Sequence, residues 1–495
     1  MPLPYMFYLM LVKRSIGVAI VLFWCLMNVL LLKRQLWAPA SFITLRASEK
    51  ITEPMEESWG IFYRGEKIGY AHQTIDPKSD GYAIRDQSNL RLQLLGKTQD
   101  VSTRVDTKVD QEWALDWFDF QLTSADVQFK ARGKVRPGYL DLEIDSAGER
   151  SKKEIRLQQR PYLLAALKPY VVTQQLEPGK QHYFSTFDPA TLSQQVTTVT
   201  IEGRENLRIG ARLEPAIRIR QQFKGISVTS WLDGSGRTLK EESPAGLSLL
   251  RQNAEEARSL AHTRSVPLDL IAQTSITPSS PISDSAHKRL LRLKLSGVDI
   301  RNFPLDEGRQ RLKNNQLQIR LEEIKPEHLS IPVRDWRLSS YLEATPFTQS
   351  DHPRIRALAR QIVAGESDAR KAALRIKDWV YAQIAKEPTV SIPNALEVLR
   401  TRKGDCNEHT VLFNALARAA GIPARTAVGV VYLRGAFYYH AWSEVWLGEW
   451  VTLDSVLNQF PADVTHIKFI EGEIDRQIDI LQLIGNLKID VIEAS

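Results

Sequence analysis

The feature that most constrains the fold is a long stretch of short alternating runs at about residues 56–246. Apolar and polar residues alternate in segments such as 90–95 and 196–201, which is the period of a strand with one buried face. Turn-forming sequences such as 233–236 separate the runs. The pattern predicts a β-rich domain, an antiparallel sheet or barrel, over residues 50–265. The charged residues of these strands are interpreted as the solvent-facing side, and we find no catalytic cluster among them.

The rest of the chain predicts a multidomain protein, because 495 residues exceed the ~100–200 of a typical domain. A linker rich in Ser, Thr and Pro precedes a small β-rich segment at 286–345. Helical periodicity starts after Pro353, and strand-like runs follow the helices, so 346–475 is predicted to be an α+β domain. Residues 476–495 are interpreted as a C-terminal tail.

The N-terminal residues 1–36 are predicted to be a transmembrane helix. The run 16–32 has no charged residue, and its length approaches the ~30 Å thickness of a bilayer core. Basic pairs at 13–14 and 33–34 flank it. A cleaved signal peptide and a buried core helix are the alternatives. We expect a single-pass anchor in the inner (cell) membrane, although the flanking charges do not determine its orientation.

The charge and the cysteines exclude several function classes. The net charge of +7 is modest, basic and acidic residues are interspersed, and no zinc-finger spacing occurs, so nucleic-acid binding is not expected. The two cysteines, Cys25 and Cys406, are far apart, which excludes a disulfide framework and a multi-cysteine metal site. We expect no cofactor and no metal, and Cys406 is the only thiol outside the apolar N-terminal run.

Cys406 is predicted to occupy the first position of a helix. Asp405 is a good N-cap residue, and Glu408 stands where a capping box requires it. The positive end of the helix dipole favours a thiolate and offers free N–H groups to an oxyanion. From this position we expect a thiol pKa below the ~8.5 of a free cysteine. The alternative is a cysteine that only fills an apolar core.

His440 and Asp454 lie on two strand-like runs that a turn at Gly448 connects. A nucleophile at a helix N-terminus, a base on one strand and an acid on the next is the arrangement that a cysteine triad requires. The two side chains share a face of the hairpin only if the loop has three residues or a bulge is present, so we predict one of these. His409 is interpreted as structural, and His466 as a surface or packing residue.

Four motifs in this order resemble the core of the transglutaminase-like superfamily: G-D-C-x-E-H at 404–409, G-I-P-A-R at 421–425, H-A-W at 440–442 and W-x-x-L-D at 450–454. The resemblance implies a papain-like α+β fold for 346–475, with Cys406 as nucleophile, His440 as base and Asp454 as the residue that orients it. The β-rich region followed by this domain also resembles bacterial membrane-anchored members, which implies a periplasmic or otherwise extracytoplasmic catalytic domain.

This sequence departs from the animal transglutaminases at three points. Asn407 follows the nucleophile where they have tryptophan, and 387–393 provides no tryptophan for the oxyanion, so the side-chain donor stays unidentified. No calcium loop of the D-x-D-x-D-G type is present.

The expected activity is acyl transfer from an amide or peptide bond through a thioester. Hydrolysis of a peptide or protein substrate is preferred, because water is always present and no amine site is visible. Protein crosslinking is the alternative reaction, and a non-catalytic scaffold or binding module is the alternative class. The β-rich domain is a possible binding site for a protein partner in either case.

Overall fold

A computed structural model describes residues 51–495, except 126, 174–175, 211, 244–245, 260–268 and 325–327. The anchor predicted at 1–36 lies outside the described residues. Within the described part, no helix is both long enough and apolar enough to span a bilayer.

The first half of the described chain forms one fourteen-stranded sheet, in the order β8-β7-β6-β5-β4-β3-β2-β1-β14-β13-β12-β11-β10-β9. Every neighbouring pair is antiparallel, as the alternating runs predict. The strands are β1 Met55–Tyr63, β2 Glu66–Lys78, β3 Gly81–Leu94, β4 Lys97–Val109, β5 Leu115–Ser124, β6 Val127–Arg136, β7 Tyr139–Ser146, β8 Glu149–Arg156, β9 Gln181–Asp188, β10 Ser193–Ile209, β11 Arg212–Phe223, β12 Ile226–Leu232, β13 Thr238–Glu242 and β14 Leu247–Arg251.

Helix α1, Leu164–Thr173, packs its apolar side chains against the inner face of this sheet. Tyr170 contacts Phe184 of β9 edge-to-face, with 5.5 Å between ring centroids. Ile75 and Ile84, on β2 and β3, complete the same buried cluster. The short helices α2, Ala254–Arg258, and α3, Leu270–Thr274, follow the last strand of the sheet.

A second, four-stranded sheet has the order β16-β17-β15-β24. Its strands are β15 Leu290–Ser296, β16 Gln310–Lys313, β17 Gln316–Arg320 and β24 Lys488–Ala494. β24 lies within the segment that was interpreted as a C-terminal tail, and it pairs with β15. Residues 476–495 therefore return to complete the small β-rich segment, and the interpretation as a tail does not match this pairing.

The C-terminal domain combines four main helices with a sheet in the order β22-β21-β20-β23. The helices and strands of this region are α4 Pro353–Val363, α5 Ala369–Gln383, β18 Ala385–Lys386, α6 Ala395–Thr401, β19 Lys403–Gly404, α7 Cys406–Ala419, β20 Ala424–Leu433, β21 Ala436–Trp446, β22 Trp450–Leu453, β23 Ile467–Glu471 and the short α8 Ile474–Gln477. Helices α4, α5 and α6 each pack against α7, and α7 packs against β21 and β20. The central position of α7 explains why its side chains are buried on almost every face.

One apolar core joins the large sheet to the helices of the C-terminal domain. It includes Phe118 and Phe129 of the sheet together with Ile376 of α5 and Phe413 of α7. The buried hydroxyl of Ser146 also donates a hydrogen bond to the N-cap residue of α6, over 2.8 Å. The β-rich region is thus continuous with the domain that positions Cys406.

Candidate active site

Cys406 is the first residue of α7, as the sequence predicts. The carboxylate of Asp405 accepts the Asn407 N–H at 3.0 Å, and the Glu408 carboxylate accepts the Asp405 N–H at 2.9 Å. This is a complete capping box. Gly421 follows the helix with a φ of +84°, and a Cβ there would collide with Pro332. The two ends of α7 are therefore fixed by short local interactions that hold Cys406 in place.

His440 and Asp454 lie on a hairpin whose loop consists of Leu447, Gly448 and Glu449. The strands pair Trp446 with Trp450, so the predicted three-residue loop is confirmed. His440 Nε2 lies 2.6 Å from Asp454 Oδ2, and the two side chains are 8% and 0% exposed. The structure therefore brings the predicted base and the predicted acid into direct contact.

The position opposite His440 on β20 must be a glycine. Gly429 pairs with His440, and a Cβ at Gly429 would collide with the carbonyl oxygen of Ile467 on β23. The close approach of β23 brings His466, the residue before that strand, beside the pair.

Asp454 accepts hydrogen bonds at both carboxylate oxygens. Oδ2 accepts from His440 and from His466 Nε2 at 3.0 Å, and Oδ1 accepts the N–H groups of Val456 and Leu457 at 2.6 and 2.8 Å. Burial acts to raise the pKa of Asp454, but the two histidines outweigh it and hold that pKa far below its usual range. Because the carboxylate is ionised, His440 donates its Nε2 proton to it. The Nδ1 atom of a neutral His440 is then free to accept a proton.

The interpretation of His466 as a surface residue is wrong, and packing describes only part of its role. Its side chain is completely buried between Asp454 and Asp463, and Nδ1 lies 3.3 Å from Asp463 Oδ1. Burial disfavours the charged ring, but the hydrogen bonds to both carboxylates outweigh burial and raise the pKa of His466. His466 thus contacts the same oxygen of the acid as His440, a contact that the spacing of His466 and Asp454 along the chain does not indicate.

The surroundings of the Cys406 sulfur differ from the expectation. The residue is half-buried and packs against the cluster that contains Ala441, the neighbour of His440. Burial is the largest effect on its pKa and raises it well above the ordinary thiol value, and the Asp405 carboxylate adds to the rise. A hydrogen bond from the Ala441 backbone acts in the opposite direction and is outweighed. The expected lowering of the Cys406 pKa is therefore wrong for this geometry, because dehydration of the sulfur and the neighbouring carboxylates outweigh the hydrogen bond from Ala441.

His409 has the structural role that was predicted. It is fully buried, with Nδ1 2.7 Å from the carbonyl oxygen of Asp405 and Nε2 3.3 Å from that of Ile384. Burial lowers the pKa of His409, which favours its neutral form. The ring therefore ties the start of α7 to the end of α5.

A buried ion network supports the other side of the β20–β21 pair. Glu444 accepts hydrogen bonds from Arg425 at 2.6 Å and from Lys468 at 3.0 Å. The guanidinium of Arg425 also lies 4.1 Å from the ring centroid of Trp450. The arginine of the G-I-P-A-R motif thus fixes the strand order around His440.

Arg309, from the small β-rich segment, holds the loop that carries His466. Its guanidinium donates to the carbonyl oxygens of Ala462 at 2.5 Å, Asp463 at 2.8 Å and His466 at 3.0 Å. The same group pairs with Glu322 at 2.9 Å. This anchor lies outside the motifs, and nothing in the local sequence of Arg309 indicates it.

His440, Asp454 and His466 offer ligand atoms within 4.8 Å of one another, which is compatible with metal binding. Both histidine nitrogens contact the same oxygen, Asp454 Oδ2, at 2.6 and 3.0 Å. Those are hydrogen-bond distances, and the ring of His466 is held by Asp463 as well. The group is best described as a hydrogen-bonded network around one carboxylate.

The arrangement is that of a transglutaminase-like domain, and residues 356–455 match the model of the Transglutaminase-like superfamily. The chain therefore carries a transglutaminase-like domain that includes Cys406, His440 and Asp454. His466 lies beyond the matched residues.

Similar solved structures share little sequence with this chain. A candidate cysteine protease from Cytophaga hutchinsonii is 18% identical with a TM-score of 0.27, over 45% of this chain and 80% of that one. A β-barrel-like protein from Brucella abortus is 10% identical with a TM-score of 0.34, over 40% and 96%. A candidate protease from Parabacteroides distasonis is 10% identical with a TM-score of 0.19, over 66% and 64%. No curated protein sequence is significantly similar.

Proposed function

We propose that the transglutaminase-like domain hydrolyses amide bonds of a peptide or protein substrate through a thioester on Cys406. The observation that carries the proposal is the buried His440–Asp454 pair, 2.6 Å apart, with His440 on β21, the strand that packs against α7. The family match supports cysteine-dependent peptidase or acyl-transfer chemistry in general terms. The family match does not distinguish water from an amine as the acceptor of the acyl group, so hydrolysis is part of the proposal.

The chemistry starts from a neutral thiol, because burial and Asp405 both raise the pKa of Cys406. As the sulfur attacks the carbonyl carbon, its proton moves to Nδ1 of His440, which the bond to Asp454 leaves free. His440 then gives that proton to the nitrogen of the leaving amine, and the C–N bond breaks. Water adds to the thioester with His440 again as base, which releases the acid and restores the thiol.

Two backbone donors are available to the developing oxyanion or the sulfur. The N–H of Cys406 is at the first helical position and has no acceptor within the helix. The N–H of Ala441 is already directed at the sulfur. Such fixed donors stabilise charge as it develops in the transition state.

The test uses the full-length protein, a proteome-derived peptide library and a primary amine, with the products read by mass spectrometry. The proposal predicts new peptide termini and their loss in Cys406→Ala and His440→Ala. The matched control His287→Ala changes an exposed histidine and should leave the activity intact. Incorporation of the amine without cleavage would favour crosslinking, and no reaction in the wild type would favour the scaffold alternative.

We further propose that the chain is anchored in the inner membrane by residues 1–36 with the domains outside the cytoplasm. The apolar run 16–32 and its basic flanks support a membrane anchor, whereas the side of the membrane rests on the resemblance to bacterial membrane-anchored members. Fusions of alkaline phosphatase and of a cytoplasmic reporter after residue 60 distinguish the two sides. Activity of only the cytoplasmic reporter would contradict the proposal.

A further inference from the structure

A cavity of about 340 Å³, lined by apolar side chains and by several charged ones, lies in the large sheet beside α1. β1, β3, β11 and β13 contribute Glu57, Asp86, Gln221 and Glu241 to its lining, and α1 contributes Lys168. No residue of the cysteine centre lines it. Its volume is at the lower end of the range for small-molecule sites. The cavity is therefore a separate candidate binding site.

The lining carries more negative than positive charge. It contains three carboxylates, Glu57, Asp86 and Glu241, against the ammonium group of Lys168 and the imidazole of His72. Lys168 is committed to Glu241 by an ion pair. Glu57 and Asp86 form no salt bridge with any described residue, although Asp86 accepts a hydrogen bond from Gln73 at 2.6 Å. Two acidic groups thus face the cavity without a cation of their own.

Two buried polar atoms of the lining also lack partners in the described part of the chain. Glu57 Oε1 has no hydrogen bond, although the residue is only 6% exposed. Gln221 Nε2 has none either, and that residue is 4% exposed. Leaving a buried acceptor or donor unpaired costs about 1–3 kcal/mol, and more for a charged group. A ligand with a cation and a carbonyl oxygen would satisfy both atoms.

The titration of the two acids agrees with this arrangement. Burial raises the pKa of Glu57 to about 7 and the pKa of Asp86 to about 6. The charged and polar groups that act on them are Lys168, Arg251, Asp233 and Arg237 for Glu57, and Gln73 and Lys168 for Asp86. A bound cation would lower both pKa values, so the cation and the ionised acids would stabilise each other.

We propose that this cavity binds a basic amino-acid residue, free or at the end of a peptide. Its ammonium or guanidinium group pairs with Glu57 and Asp86, and its carbonyl oxygen accepts from Gln221. The proposal concerns the β-rich region alone, so it stands or falls independently of catalysis at Cys406.

The experiment is calorimetric titration of the full-length protein with L-arginine amide, compared with L-citrulline amide, the isostere with an uncharged side chain; both ligands carry an acetylated α-amino group, so that the side chain alone decides the charge. Arginine amide should bind and citrulline amide should bind at least about tenfold more weakly, because one charged hydrogen-bonded pair is lost. Affinity for arginine amide should fall as the pH drops from about 8 to about 5, since protonated acids cannot pair with the cation.

Two pairs of variants separate the site from general effects. Glu57→Gln should weaken arginine amide by about tenfold or more. Its control, Glu53→Gln, changes an exposed residue that precedes the same strand and does not line the cavity, and it should have no effect. Gln221→Leu should weaken binding while the exposed control Gln222→Leu does not. Circular dichroism checks that each variant is folded.

Three results would overturn the proposal: equal affinity for the two ligands, no binding of either ligand, or binding that Glu57→Gln leaves unchanged. In the second and third cases, buried water would be the partner of Glu57 and Gln221.

Discussion

Replacing Asp454 by asparagine should abolish catalysis while leaving the fold intact. The amide oxygen of the variant can still accept the N–H groups of Val456 and Leu457. Its NH₂ group then faces the Nε2 atoms of His440 and His466, where the wild type has an acceptor. His440 must move its proton to Nδ1 in order to accept from this amide, and Nδ1 can no longer take the thiol proton. An equivalent change in a Ser-His-Asp enzyme costs about 10⁴ in kcat, and we expect a similar loss.

The assay is turnover of the peptide library by the full-length protein, with Asp463→Asn as the matched control. Asp463 is also a buried acid bonded to His466, but it makes no hydrogen bond to His440 in the described structure. The control should therefore lose about tenfold or less, since only the support of Asp454 is weakened. Equal losses in the two variants would refute the reasoning, because Asp454 would then act only as a structural acid.

The same variant has a stability signature. The pKa of Asp454 is depressed by folding, so its contribution is present above the unfolded value of ~3.9 and is lost as the pH falls toward the folded value. The difference in Tm between the wild type and Asp454→Asn should therefore shrink as the pH falls below about 4. A difference that grows in acid would contradict the assigned charge state.

Three further predictions concern the surroundings of the triad. Because the pKa of Cys406 is raised, iodoacetamide should label it more slowly at about pH 7 than it labels a free thiol, and the rate should rise steeply above about pH 8.5. The label is measured on the tryptic peptide 404–418. A rate that is flat from about pH 6 to 8 would indicate a preformed thiolate. His466→Gln should reduce turnover by about 10- to 100-fold, because Asp454 keeps its other three donors but is less firmly held. Since folding raises the pKa of His466, the difference in Tm between this variant and the wild type should be present below about pH 6.5. It should narrow as the pH rises through the pKa of His466 in the folded protein. A difference that is constant with pH would mean that the His466 ring is neutral. Arg309→Lys should lower the free energy of unfolding by about 2–4 kcal/mol, because hydrogen bonds from the guanidinium to backbone carbonyl oxygens are lost. The exposed control Arg311→Lys should change it by less than about 0.5 kcal/mol. Similar effects of the two variants would exclude the anchoring role of Arg309.

Local sequence signals predicted the parts of the site that short-range interactions determine. The capping box of Asp405 and Glu408 places Cys406 at the helix start. Side-chain alternation requires a three-residue loop or a bulge to align His440 with Asp454, and the three-residue loop is present. Alternating runs likewise predicted an antiparallel β-rich region. In each of these cases the pattern and the contact lie within about one turn of helix or one hairpin.

The parts that were missed depend on contacts between distant segments. His466 reaches Asp454 only because β23 returns beside β20, and Arg309 reaches the same loop from about 150 residues upstream. β24 pairs with β15 although most of the C-terminal half of the sequence separates the two strands, so no local turn sequence indicates the pairing. The prediction of the Cys406 pKa was wrong because the sequence indicates the helix dipole and the partner His440, whereas burial of the sulfur depends on tertiary packing.

The central claim is that Cys406 forms a covalent acyl intermediate with help from His440. The most direct measurement is mass spectrometry of the full-length protein, acid-quenched during turnover of the peptide library and then digested with trypsin. The account predicts a peptide-derived adduct on residues 404–418 that neutral hydroxylamine removes, and that is much reduced in His440→Ala. Cleavage of the library without any adduct on this peptide, or cleavage that persists in Cys406→Ala, would contradict it.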